Sequence, residues 1–550
     1  MRSNSLILFF VVLVFSCSCS VQKNRTDLLV YNATLYTVDS MFTVQQAMAI
    51  DKGKIVAVGS SSDLEKKFRP AKKINANGLF VYPGLIDAHA HFLSYGLGLQ
   101  TVDLVGTTSW EEIIQRLKSY ALNHTDGWLV GRGWDQNDWN VKEFPDRRLL
   151  DSLFPGRPVL LTRIDGHAAI CNQQALDLGG INLNSNEKLS GGKVEIENGR
   201  ITGILIDNAI SLVSTKKPEP SEVDRQKALR EAQSNCFAVG LTTVDDCGLN
   251  VSAIEMIQKM QGSGDLKMRL YVMLSDHPSN YQYLIKSGII KTDRLHVRSF
   301  KVYADGALGS RGACLLEPYT DQRNQQGFLL RSASHFREVA NVIYKNGFQM
   351  NTHAIGDSGN RMILDIYRKV LKKNDDRRWR IEHAQVISPA DFYRFGESGI
   401  IPSVQPTHAT SDMYWAENRL GKERVKGAYA FKELLAQNGW IALGTDFPVE
   451  EIDPLKTFYA AVVRKDSKGW PSLGFQPENA LTREETLRGM TIWAARANFE
   501  ENEKGSLEKN KVADFIITDN DLMKVPDEKI LTIKVLQTYV NGEKVFERKK

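Results

Sequence analysis

The sequence predicts an α/β fold: a (β/α)8 TIM-like barrel, with a small β-sandwich built from both chain ends and an insertion after the first barrel strand. Three patterns in its 550 residues carry this expectation. Eight strand-like apolar runs alternate with amphipathic stretches through the middle of the chain. Both ends are rich in short runs of period-two alternation, and a long interval separates the first two of the eight runs. Alternating β and α implies a parallel sheet, and eight repeats close it.

Residues 1–19 read as an export segment. Arg2 precedes an apolar run from Leu6 to Phe15 and then Ser16-Cys17-Ser18-Cys19-Ser20, the order of a secretory signal. Val14-Phe15-Ser16-Cys17 resembles a relaxed bacterial lipobox, in which Cys17 would be lipidated and become the new N-terminus; Cys19 is the competing position. The expectation is an exported, periplasmic lipoprotein. No later segment offers the roughly 18 consecutive apolar residues of a membrane span, so the lipid anchor is the only membrane contact expected.

Residues 27–82 and 505–550 form the expected sandwich. The first part alternates LLVYNATLYTV, QAMAIDKGKIVAVG and GLFVYPG with turns, and the second repeats the style in VADFIIT and VLQTYVNGEKVFER. Asn541-Gly542 between two strand-like runs is a strong hairpin signal. Residues 83–504 form the barrel. Its runs are LFVYPGLIDAHAHF, LTTVDDCG, LKMRLYVML, LHVRSFKVYADGA, FQMNTHAIGD, WRIEHAQV, GIIPSVQP and WIALGTDFP. The interval at about 100–235 holds strand-like WLVGRGWD and VLLTRIDGH, is too long for a loop, and is expected to sit over the barrel mouth.

Composition narrows the partner. The 42% hydrophobic and 25% charged content is ordinary for a globular chain, which excludes disordered, collagen-like and multi-span classes. A net charge of +5 from 70 basic and 65 acidic residues, with lysines in scattered doublets, excludes a nucleic-acid stripe; the partner expected is a small-molecule substrate, on the resemblance given below. A homodimer is the assembly expected if the chain self-associates. Cys171, Cys236, Cys247 and Cys314 lie far apart without CxxC pairing, so they read as buried thiols and not as a zinc finger.

The chemistry sits at strand ends. Asp87-Ala88-His89-Ala90-His91 closes the first run, and i, i+2 alternation points both imidazoles one way, as two ligands of one metal require. His353 ends the fifth run, His383 the sixth, and Thr445-Asp446 the eighth. In a barrel these C-terminal ends converge at the mouth. Four histidines and one carboxylate suit a divalent metal of the zinc type. His167 and His408 adjoin strand ends and are candidates to touch substrate; His124, His277, His296 and His335 read as surface or capping residues. Asp305 and Arg311 are candidates to orient substrate, with a loop-holding salt bridge the other reading for Arg311. Trp134 and Asp135 could line the pocket from the insertion or simply pack.

VYPGLIDAHAH, FKVYADGALGSRGA, NTHAIGD, RIEHAQ, ALGTDFPV and the closing GSLEKNKVADFIITD resemble, in this order, the amidohydrolase superfamily. The likeness is to the amidohydrolase family 3 branch typified by N-substituted formamide deformylase, over nearly the whole mature chain. The resemblance implies that His89, His91, His353, His383 and Asp446 are metal ligands, and that Lys301 occupies the place of a carboxylated lysine bridging two metals. One or two divalent ions per chain follow. The implied activity is hydrolysis of a C–N bond in a non-peptide amide, formamide or cyclic amide by metal-bound hydroxide, with Asp446 as proton shuttle. The alternatives are an isomerase or a C–O hydrolase on the same scaffold, and a non-catalytic exported binding protein.

If Cys17 carries the anchor, Cys17→Ala releases the protein from membranes on fractionation. Retention with Cys19 intact moves the lipidation site to Cys19.

Overall fold

The computed structural model describes residues 23–372 and 375–549; the export segment with Cys17 and Cys19 lies outside them. Eight parallel strands are neighbours in chain order: Leu85–Ala90, Leu241–Leu249, Arg269–Ser275, Leu295–Tyr303, Gln349–Ala354, Arg380–His383, Ile401–Val404 and Ala442–Leu443. Each falls in one of the eight apolar runs. The register sets Ala354 beside His383 and His353 beside Glu382, so the fifth and sixth strands end at one level.

The last strand is short, and closure onto the first strand is made just beyond it. The Asp446 amide donates to the His89 carbonyl (2.7 Å) and the His91 amide to the Phe447 carbonyl (2.8 Å). The buried Asp87 carboxylate accepts both the amide (2.9 Å) and the hydroxyl (2.7 Å) of Thr445. Gly444 permits this approach, because a Cβ there would lie 2.5 Å from the His89 nitrogen. Several of the surrounding helices start on side-chain caps that satisfy otherwise orphan amides. Ser221 and Asp224 form a capping box for Glu222–Ala238, Asn250 caps Val251–Ser263, and Ser332 caps Ala333–Lys345. Each helix then buries an apolar face, such as Ile254, Ile257 and Met260, against the strands.

Both chain ends build the second unit. One sheet is N-terminal, in the order Lys54–Gly59, Ala47–Asp51, Asn24–Tyr31, Phe68–Asn75. The other joins the ends, since Phe80–Pro83 pairs antiparallel with Phe515–Thr518. The core between the sheets draws Leu28, Val30, Met48 and Ile50 from one end and Phe515, Ile517 and Tyr539 from the other. Asn541 and Gly542 both have positive φ, as the tight hairpin requires.

The insertion folds as a six-stranded mixed sheet from Val102–Asp103 to Arg200–Asp207, with its own apolar core. Its last strand ends at Asp207, and helix Asn208–Ser214 packs Ala209 and Val213 against the same sheet. Helix Glu222–Ala238 belongs to the barrel, where Asn235 donates to the Tyr95 hydroxyl (2.9 Å). His296, expected at the surface, is buried in the fourth strand with Nδ1 3.3 Å from Glu500 Oε1; the barrel wall hides what a polar flanking sequence suggested. All four cysteines are unpaired. Among the described residues no helix is long and apolar enough to cross a membrane.

Sandwich and barrel are clasped by one buried ion pair. Arg269 of the third strand meets Asp514 through Nε–Oδ2 (2.5 Å) and Nη2–Oδ1 (3.1 Å), and both side chains are almost fully buried. Asp514→Ala strands the guanidinium without a counter-charge. The expected loss, read by denaturant unfolding, is about 3–5 kcal/mol; a change below about 0.5 kcal/mol, the range of ordinary surface substitutions, excludes the clasp role.

Candidate metal centre

His89 ends the first strand and His91 follows it, and both turn toward Asp446: Nε2 to Oδ1 is 3.7 Å for His89 and 3.3 Å for His91. His383 stands beside His89, with ring centroids 4.8 Å apart, and His353 beside His383 at 4.6 Å. Ligand atoms of His89, His383 and Asp446 lie within 4.8 Å of one another. His383 and Asp446 both have left-handed backbones, φ 71° and 65°, a strained state for non-glycine residues that the strand ends must hold in place.

Each imidazole is aimed by its other nitrogen. Nδ1 of His89 bonds Glu382, that of His91 the Cys247 carbonyl (3.1 Å), and that of His383 Gln405 Oε1 (2.7 Å). All three therefore present Nε2. His353 is turned the other way, its Nε2 3.5 Å from the Gly306 carbonyl, which leaves Nδ1 open. Lys301 Nζ sits 2.8 Å from His89 Nε2, fully buried.

Behind His89 a chain of buried charges crosses the barrel. Glu382 ion-pairs with Arg380 (Nε–Oε1 2.7 Å), Arg380 reaches Asp245 of the second strand (2.9 Å), and Asn498 donates to Asp245 (2.6 Å). Burial alone would raise Glu382, but Arg380 and His89 hold its carboxyl down to about 2. Burial, aided by the Lys301 charge, pushes His89 down to about 4, so it is the neutral ring a ligand must be. The same is true of His383 and His353, lowered first by burial and then by their neighbouring rings.

The donor set fits a divalent ion. The imidazoles of His89, His91 and His383 present Nε2 around one carboxylate, and Asp446 Oδ1 and His408 Nε2 are buried with no hydrogen-bond partner. His408 lies 3.5 Å from Asp446 Oδ2 and stacks on His383, so the structure brings it to the centre. His167 arrives from the insertion: its ring is 5.0 Å from that of His353, and its Nδ1 is 2.5 Å from Asp207 Oδ1. A Cβ on Gly306 would stand 2.5 Å from Asp207 Oδ2, so glycine there makes room for the carboxylate that aims His167.

Four residues considered for the substrate pocket are engaged elsewhere. Asp305 is fully buried, and its carboxylate accepts the amides of Cys314 (2.8 Å), Ile355 (3.0 Å) and Gly356 (2.8 Å); it stitches two loops together and has no face for substrate. Burial pushes its carboxyl up to about 7 even against those donors. Arg311 pairs with Asp321 (2.9 Å), the loop-holding reading. Trp134 is buried in the insertion core and donates Nε1 to the Leu161 carbonyl (2.9 Å). Asp135 is committed to Arg163 and to the Asn137 amide (2.8 Å).

Sequence reasoning missed Glu382, Arg380, Asp245, Gln405 and Asp207. The available signal was charge inside apolar strands, as in RIEH and VDDC, because a charge in a buried strand demands a partner. Glu382→Gln removes the carboxylate that orients His89. Divalent-metal affinity, titrated on purified protein, is expected to fall about 10–100-fold; unchanged affinity separates Glu382 from metal binding.

The chain is 35% identical to Protein LONG AFTER FAR-RED 3 of Arabidopsis thaliana, over 94% of this chain and 91% of that one. It is 27% identical to N-substituted formamide deformylase of Arthrobacter pascens, over 95% and 98% respectively. Its fold matches the crystal structure of a metal-dependent hydrolase from Pyrococcus horikoshii OT3 with a TM-score of 0.75 and 28% identity, covering 91% of this chain and 99% of that one. The model of the amidohydrolase family matches residues 72–546, and the chain belongs to that family of metal-dependent hydrolases.

Proposed function

We propose that the protein hydrolyses the C–N bond of a small non-peptide amide, formamide or cyclic amide, with Asp446 as the proton shuttle. The observation that carries this reading is the buried, unpartnered Asp446 Oδ1 at the focus of His89, His91 and His383. In the proposal His89, His91, His353, His383 and Asp446 hold one or two divalent ions of the zinc type. Lys301 joins them as a carboxylated side chain. As a bare ammonium it would be a buried cation beside a ligand nitrogen, whereas carboxylation makes it an anionic donor. When bound, such an ion polarises the scissile carbonyl and makes water acidic enough to attack near neutral pH.

The chain's own residues do the rest. Asp446 takes the proton of the attacking water and returns it to the leaving nitrogen as the C–N bond breaks, so that amine and carboxylic acid depart with protons conserved. Glu382, Gln405 and the Cys247 carbonyl fix the three rings, so little reorganisation is left for the reaction. His408 steadies Asp446 from the side opposite His91. The likeness to a named formamide deformylase supports an amide substrate.

The metal-loaded protein should release amine from N-substituted formamides or cyclic amides and leave matched esters slower. Cleavage of esters alone, or isomerisation without water, defeats the reading. Asp446→Asn is expected to lower kcat by ~10²–10⁴-fold with the fold retained. Metal measured on the same variant separates the roles: retained metal marks the shuttle, and lost metal marks a ligand.

A further inference from the structure

Among the described residues Arg132, near this centre, makes no ion pair. Arg132 lies in the insertion strand Leu129–Trp134, parallel to and paired with Val159–Arg163, whose following loop carries His167. Its guanidinium lies against Gly166, where a Cβ would be 3.6 Å from both Nη1 and Nη2, one residue before the histidine that reaches His353. Among the described residues its hydrogen bond is Nη2 to the Ile164 carbonyl (2.8 Å), and its Nε is buried without a partner.

The carboxylates within reach are already committed. Asp165 pairs with Arg163 and also takes the His167 amide (3.0 Å). Asp446 sits among the histidines, where a divalent ion would absorb its charge. Burial accordingly lowers the Arg132 pKa, with only distant help from Asp165, Asp446 and Tyr303. The neighbouring buried arginines are built differently, since Arg163 and Arg380 each hold two carboxylates. A half-buried guanidinium left open at the edge of a cationic metal centre is a site for an anion supplied from outside.

We propose that Arg132 binds a carboxylate carried by the substrate, so that the substrate class is a small amide that is also an acid, of the N-acyl amino acid type. A carboxylate matches the planar fork and the single charge of one guanidinium. Arg132 is thus a specificity residue: it takes no part in the proton transfer and sets which amides arrive with the scissile bond at the metal. The proposal rests on the amide-hydrolase reading above.

The test compares N-formylglycine, N-formyl-β-alanine and 4-formamidobutyrate with neutral N-alkylformamides of equal length, on metal-loaded wild-type protein and on Arg132→Gln and Arg132→Lys. At least one acid should be favoured ~10–100-fold in kcat/KM over its neutral counterpart, mainly through KM. Arg132→Gln should erase that preference while leaving the neutral formamides unchanged, and Arg132→Lys should keep part of it. Equal loss on acids and neutral formamides marks a structural role and overturns the proposal, as does a wild type without preference. Calorimetric binding of the same acids reads recognition without turnover. If no formamide is cleaved, the hydrolase reading fails; binding of an acid that Arg132→Gln abolishes still supports the carboxylate site, and acids that bind no better than neutral formamides overturn it.

Discussion

The buried ion chain from Asn498 through Asp245, Arg380 and Glu382 to His89 is the constraint on which the centre depends. Charges inside a barrel are tolerable only when every one is paired, because the cost of taking them out of water is returned only by close partners. Arg380 satisfies this by touching three other strands: Asp245 on the second, the Ala88 carbonyl on the first and Ser403 on the seventh (2.9 Å). A slip of any of these strands by one residue would leave a naked charge, so the network sets the register of the barrel and the direction of His89 Nε2 together.

A second dependence runs through closure. The eighth strand is too short to complete the barrel with ladder bonds alone, and the seam is made by Asp446, His91, Asp87 and Thr445. Two of these, His91 and Asp446, are members of the metal centre. Structural and chemical roles are therefore fused at this seam, and the left-handed backbone of Asp446 is held by the same bond that joins it to His89.

The insertion adds what the barrel lacks. The barrel supplies histidines and a carboxylate, which can activate water but do not choose a substrate. The inserted sheet brings His167, braced by Asp207, and Arg132 to the open side. Trp134, Asp135 and Arg163, which lie beside them in sequence, are consumed in holding that sheet and its loops together. Adjacent residues in GRGWDQ thus have opposite fates, and the register shift between Arg132 and Trp134 accounts for it: Trp134 is turned inward with Gly131, while Arg132 is not fully buried.

The sequence by itself determined the class of fold and which polar residues stand at the strand ends. Strand period, eight repeats and β-rich ends are local patterns, and histidines at strand ends are local too, so His89, His91, His383 and Asp446 could be placed at one mouth without coordinates. Only the tertiary structure decided what each polar residue does there. Asp305 and Arg311 lie in a loop that looks like a substrate loop, yet their partners, the amides of Ile355 and Gly356 and the carboxylate of Asp321, come from chain segments or turns that no spacing rule predicts. Glu382 acquires its role only because Arg380 and His89 close around it. Whether a charged side chain is free for chemistry depends on whether its counter-charge lies within a few ångströms, and that is a property of packing between residues far apart in the chain.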